Sequence, residues 1–256
     1  MLRYLFNQPR RRDEGIMGEA MKALNHYLHI QEGRVLKERS ALQTQETDRS
    51  TLSLFIKAGG FIRALDELEQ SQYAAEQFSL LVNKRYIEEM DEEELDNYHR
   101  HLYFYKNALL RIFSILDKLG YFLDEQLRLE TEKVKQQFSY FTVLRRMHER
   151  RPDLPMDQQL YQIKESFQPS MTILRKERNM ETHFMNTELL DDLLKAKMEL
   201  FPPNQTAIEN VEDKLRTLGQ GFEMVCRTLT TAFNGLSQEN QSNVRVRRRR
   251  AELYKQ

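Results

Sequence analysis

The run YHRHLYFYKNALLRIFSILDKLGYFL, from Tyr98 to Leu123, decides the fold of this chain. Tyr98, Leu102, Tyr105, Leu109, Ile112, Leu116, Leu119 and Leu123 step by four and three. That spacing lays one apolar seam along one side of an α-helix. A seam so sustained predicts packing against other long helices. The acidic run Asp91 to Glu94 stands just upstream, where a helix N-terminus favours negative charge.

Working outward, the same period recurs on both sides. Upstream, Asp48 or Ser50 can cap a helix whose apolar face carries Leu52, Phe55, Ile56, Ile62, Leu65 and Leu68. Gly59-Gly60 inside it predicts a kink or a close helix contact. A further piece carries Tyr73, Phe78, Leu81, Val82 and Ile87. Downstream, Phe138, Phe141, Leu144 and Met147 mark a shorter helix, ended by Pro152 and Pro155. Leu160, Ile163, Phe167, Met171 and Leu174 follow, interrupted around Pro169. Leu189, Leu190, Leu193 and Leu194 suggest another short helix, closed by Pro202-Pro203. The last long helix is predicted from about Thr206 to Leu236, with Ile208, Val211, Leu215, Leu218, Phe222, Val225, Leu229 and Phe233 on one face. No strand-like alternation stands out, so the fold class is all-α. The expected organisation is a helical appendage over residues 1–47, a helical domain over 48–236 and a polar, basic tail over 237–256.

Composition agrees with that class. Charged residues make up 30% and hydrophobic ones 40%, with 9 Gly and 6 Pro. The formal net charge is zero, so any binding of nucleic acid must rest on local charge. One cysteine, Cys226, allows no internal disulfide and no cysteine-based metal site. No run of about 18 apolar residues occurs, and Met1 to Arg12 lacks the apolar core of a signal peptide. The expected location is the cytoplasm, away from membranes.

The candidate chemistry lies in Arg178-Asn179-Met180-Glu181-Thr182-His183. Arginine holds phosphate through a planar fork, and histidine moves a proton near pH 7. These are the groups that RNA cleavage without a metal requires. The segment resembles the HEPN superfamily (higher eukaryotes and prokaryotes nucleotide-binding domains). Its hallmark is Arg, then a polar residue, then His after four to six intervening residues. Arg178, Asn179 and His183 match that pattern, and helix order extends the resemblance loosely from about Asn97 to Phe233.

The resemblance implies a core of long antiparallel helices and an endoribonuclease that needs no cofactor or metal. It implies a homodimer in which two motifs face one cleft and the ribose 2′-OH attacks the phosphate. Arg178 and His183 then act on RNA, Asn179 orients them, and the cellular role is defence or toxin-like, with an antitoxin protein as a further partner. HEPN toxins restrained by a nucleotidyltransferase often carry Tyr two positions after the His. Met185 stands there in this chain, which speaks against silencing by nucleotide attachment at that position.

On a regular helix, positions five apart differ by about 140°. Arg178 and His183 therefore meet one phosphate only if the helix ends or bends between them, or if two subunits combine. The competing interpretation makes Arg178 an ion-pair partner of Glu181 or another acid, in a non-catalytic helical module that binds nucleotide, RNA or protein. Asp117, on the flank of the seam, is a candidate acid for the motif arginine, although a solvated flank is the commoner role. His99, His101, His26 and His29 are expected at the surface, with no metal pairing. Two basic groups, Arg145-Arg146-Arg150-Arg151 and the terminal cluster Arg245 to Arg250, offer charge for RNA phosphates or simply solvated faces.

Overall fold

The computed structural model describes residues 2–42, 49–184 and 207–253, with side chains over 2–36, 52–182 and 207–240. Among them run seven α-helices: α1 (Gly15–Leu42), α2 (Arg49–Ser79), α3 (Glu92–Leu127), α4 (Tyr140–Arg150), α5 (Pro155–Ser166), α6 (Gln168–Asn179) and α7 (Val211–Leu253). No strand occurs among the described residues; only an isolated bridge joins Tyr86 and Ala207. None of these helices is long and apolar enough to cross a membrane.

The seam helix forms where its periodicity predicts. Asp91 Oδ1 accepts the Glu94 backbone N–H at 2.8 Å, satisfying one of the free donors at the start of α3. Glu94 in turn accepts the Lys84 backbone N–H at 2.7 Å and ties down the preceding loop. Tyr98, Tyr105, Leu109, Ile112, Leu116, Leu119 and Leu123 are all buried.

Contacts divide the chain into two compact units. The first comprises Met1–Arg11, Asp66–Ser114 and Ser166–Glu223. In it, α2 and α3 run antiparallel: Glu67 pairs with Arg111, and the Ala75 carbonyl meets His101. Against them, α6 buries Met171 and Leu174. The start of α7 approaches closely because Gly221 has no side chain; a Cβ there would lie 2.6 Å from Leu174 Cδ1 and 2.8 Å from Ile112 Cδ1.

The second unit comprises Arg12–Leu65, Ile115–Glu165 and Met224–Gln256. Its centre is a cluster of four rings: Tyr27, Phe61, Phe122 and Phe233, with centroids between 5.1 and 6.0 Å apart for Tyr27–Phe233 and Tyr27–Phe122. Mutual edge and tilted packing of this kind adds to the area that the rings bury. Gly120 lets α4 settle onto α3, since a Cβ there would stand 2.9 Å from the Tyr140 Cα.

Several expectations are corrected here. Residues 15–36 are part of the core of the second unit rather than an appendage: Ala20, Leu24 and Tyr27 are fully buried. Their weak sequence signal reflects alanines that bury a face while carrying little hydrophobicity. Gly59 and Gly60 mark neither a kink nor a close contact. α2 runs unbroken from Arg49 to Ser79, taking in the piece with Tyr73 and Phe78, and a Cβ at either glycine would meet nothing within 4 Å. The last helix begins at Val211 and continues past Ser237 to Leu253, so the backbone of the basic tail is helical. The suggested helix around Leu189–Leu194 and the Pro202-Pro203 stop lie outside the described residues.

Candidate functional site

The motif occupies the C-terminal end of α6. Pro169 sits in the first turn of this helix, where its missing N–H costs nothing. Apolar Met171 and Leu174 fix which side faces inward. One turn later the same side reaches Glu177 and Arg178, both half-buried. Regular helix stops at Asn179, and a π-helical turn covers Met180–Phe184. A π turn closes between positions five apart instead of four, so the backbone rotates less per residue. The backbone positions of Arg178 and His183 are thereby closer in direction than a regular helix allows. Thr182 Oγ1 donates to the Arg178 carbonyl at 2.9 Å across this transition.

The side chains around the motif have defined partners. Tyr105 is 3% exposed, and its hydroxyl donates to Glu177 Oε2 at 2.5 Å. Burial and this carboxylate push the Tyr105 pKa well up, so the phenol stays a donor. Lys106 pairs with Glu181 at 3.5 Å. From α7, Lys214 pairs with Glu209 and places its Nζ 5.4 Å from the centre of the Tyr105 ring. Burial lowers the Lys214 pKa; Glu177 and Glu181 oppose that shift, and Lys106 adds to it.

Arg178 is held differently. Its guanidinium lies over the Phe113 ring, 4.8 Å from the centroid. Its Nε is buried and has no hydrogen-bond partner among the described residues. Of the nearby acids, Glu181 pairs with Lys106, and Glu177 accepts the Tyr105 hydroxyl while keeping its charge. Asn179 is half-buried beside it. The His183 backbone belongs to the π turn, and its side chain, like Met185, lies outside what the structure describes.

Tyr105, Lys106, Glu177 and Lys214 were not legible as site residues. Tyr105 and Lys106 read as parts of a packing helix, and Lys214 stands more than thirty positions beyond the motif. Only the adjacency of Glu177 to Arg178 was a signal.

Other candidates fall away. Asp117 accepts the Tyr140 backbone N–H at 3.1 Å, so this acid caps α4. His101, expected at the surface, is 1% exposed, with Nδ1 2.8 Å from the Ala75 carbonyl oxygen. It stands three positions after Tyr98 and four before Tyr105, on the buried side of the seam. Burial lowers its pKa; the bond to Ala75 opposes this, and Lys214 adds to it. His26, His29 and His99 are exposed. In the first basic group, Arg146 binds the Leu129 carbonyl and Glu149, Arg150 binds Glu130, and Arg151 binds Asp153 and Glu239. Only Arg145 of that set is left exposed without such a pair among the described residues. The terminal arginines have helical backbone, and their side chains lie outside the described set. No group of three or more His, Cys, Asp or Glu among the described residues could hold a metal ion.

A family model described as Cthe2314-like HEPN matches residues 58–237, a stretch that takes in the α3 seam and the whole of Arg178–His183. No curated protein and no solved structure matches the chain. With most of its length matched and an all-α fold throughout the described residues, the chain belongs to the Cthe2314-like HEPN family.

Proposed function

We propose that this protein is a metal-independent endoribonuclease that works as a homodimer through Arg178 and His183. The observation that carries the proposal is the state of Arg178. It is a half-buried cation braced on Phe113 and in no ion pair with another described residue, just before the π turn that contains His183. An arginine without an ion pair among the described residues retains its fork for phosphate.

In this mechanism a neutral His183 accepts the ribose 2′-OH proton as the 2′ oxygen bonds to phosphorus. The bond from phosphorus to the 5′ oxygen breaks, and a protonated His183 of the second copy donates to that leaving oxygen. The products are a 2′,3′-cyclic phosphate and a 5′-hydroxyl. Arg178 offsets the charge growing on the phosphate oxygens, and Asn179 orients the pair. Exposed Tyr103 and Leu110 on α3, Ile173 on α6 and Met180 in the π turn support a partner surface. Family membership supports a defence or toxin-like role, restrained by an antitoxin protein. The competing proposal, a non-catalytic helical module that binds nucleotide, RNA or protein, can use the same arginine for phosphate but has no need of a proton-transferring His183, so the His183 variant separates the two.

The test is incubation of the purified protein with total RNA in excess EDTA. Wild type is expected to cleave and leave cyclic phosphate ends. His183→Ala and Arg178→Lys, folded by circular dichroism and of unchanged oligomeric state, are expected to lose at least about 100-fold in rate. Equal cleavage by wild type and variants, or none by a folded wild-type dimer, overturns the proposal.

A further inference from the structure

A second site lies in the second unit and shares no residue with the motif. A groove of about 360 Å³ opens between α2 and α3, within the roughly 300–1,000 Å³ of small-ligand sites. Each helix presents one face to it: Lys57, Gly60, Phe61 and Ala64 from α2, and Lys118, Tyr121, Phe122 and Glu125 from α3. On both helices the spacing is i, i+3, i+4, i+7, so each set lies along a single stripe.

The groove exists because of what α2 lacks. Gly60 and Ala64 stand where larger side chains would fill the space, and a Cβ on Gly60 would meet nothing within 4 Å. Beside and opposite them, the surface is aromatic and braced. Phe61 and Phe122 sit 5.7 Å apart, and both back onto Phe233 at 5.5 Å. Tyr121, half exposed, packs against Phe138 at 4.4 Å. Such a floor is fixed before any ligand arrives, which reduces the ordering cost of binding.

Charge is placed unevenly along the groove. Lys57 and Glu125 pair at 2.5 Å and neutralise each other. The helices run antiparallel here, so that pair marks one end and Lys118 stands toward the other, beside Ala64. Lys118 is exposed and enters no ion pair with another described residue. Two lysines against one carboxylate leave the lining with one excess positive charge.

The geometry points to a binding site for a small aromatic anion: a flat ring over Phe61, Tyr121 and Phe122, with its acidic group on Lys118. A ring fits a floor of ring faces and edges. A cationic ligand would place like charge against Lys118, and an aliphatic chain would bury area on the rings without the added ring–ring attraction.

Calorimetric titration with 2-naphthoate, 2-naphthyl phosphate and 2-naphthylmethylamine tests the assignment. The two anions separate carboxylate from phosphate recognition. Saturable one-to-one binding is expected for at least one of them, and at least tenfold weaker binding for the amine. Gly60→Leu is the decisive variant. It favours helix and enters open space, so it should fold with a Tm no lower than wild type while abolishing binding. Lys118→Gln should weaken the anion about tenfold, and Lys118→Arg should keep it. Absence of saturable binding by either anion, equal affinity for the amine, or full affinity in folded Gly60→Leu overturns the assignment.

Discussion

Tyr105→Phe removes one oxygen and nothing else from the support of the motif. The hydroxyl donates to Glu177 at 2.5 Å, and the tyrosine is 3% exposed, so the loss is of one bond without a change of packing. Hydrogen bonds to a charged partner contribute about 1.5–3 kcal/mol. Glu177 is half-buried, and water can replace part of the lost donor, so about 1–2 kcal/mol of destabilisation is expected. Phenylalanine keeps the ring that Lys214 faces, so that contact persists. Urea denaturation is the assay: the midpoint should fall with an unchanged m-value. A double-mutant cycle with Glu177→Ala then isolates the pair, and a coupling of about 1 kcal/mol is expected. Two single effects that add to within about 0.3 kcal/mol would refute the reasoning, because the hydroxyl and carboxylate would then be independent. Since Glu177 immediately precedes Arg178, the ribonuclease proposed above predicts that the variant cleaves RNA about tenfold more slowly at a temperature where it is fully folded.

His101 predicts an acid weakness. Its folded pKa lies below the ordinary 6.5, so below that pH the unfolded chain takes up a proton that the folded chain refuses. Stability from this residue is complete above 6.5 and is lost as pH falls from there toward the folded value, at up to about 1.4 kcal/mol per pH unit. His101→Phe should remove that part of the slope in denaturant titrations run between about pH 5 and pH 7.5; an identical slope in both proteins would count against it. The glycines predict opposite signs. Gly120→Ala meets the Tyr140 backbone at 2.9 Å, so overpacking of about 1–3 kcal/mol outweighs the gain of up to about 1 kcal/mol in helix propensity. Gly60→Ala meets nothing and should stabilise by up to about 1 kcal/mol. Thermal melts that rank the two variants the other way would show that the packing of α4 on α3 is misjudged.

Much of the fold was legible because helical period is a local property. The steps from Tyr98 to Leu123 required no knowledge of what they pack against, and the structure buries seven of those eight residues. Pro169 was legible as an interruption, and it stands in the first turn of α6. Other features hid behind residue type. α1 buries Ala20, Ala23 and Gln31 among Met17, Leu24, Tyr27 and Val35, so its core face carries a diluted hydrophobic signal. His101 fits the seam by position, yet its polar character points to the surface. Gly59-Gly60 resembles other glycine pairs, and only the neighbouring helix reveals that the space beside Gly60 is open.

The sequence by itself determined an all-α chain, the seam of α3 and the placement of Arg178, Asn179 and His183 at the end of an apolar helical stretch. Tertiary structure alone decided how the charges near that motif are shared. Glu177 meets Tyr105, Glu181 meets Lys106, and Lys214 comes in from α7, which leaves Arg178 on Phe113. The physical reason is range. Backbone hydrogen bonding and side-chain period act within a few residues, whereas desolvation and charge pairing depend on which distant segment arrives within a few ångströms.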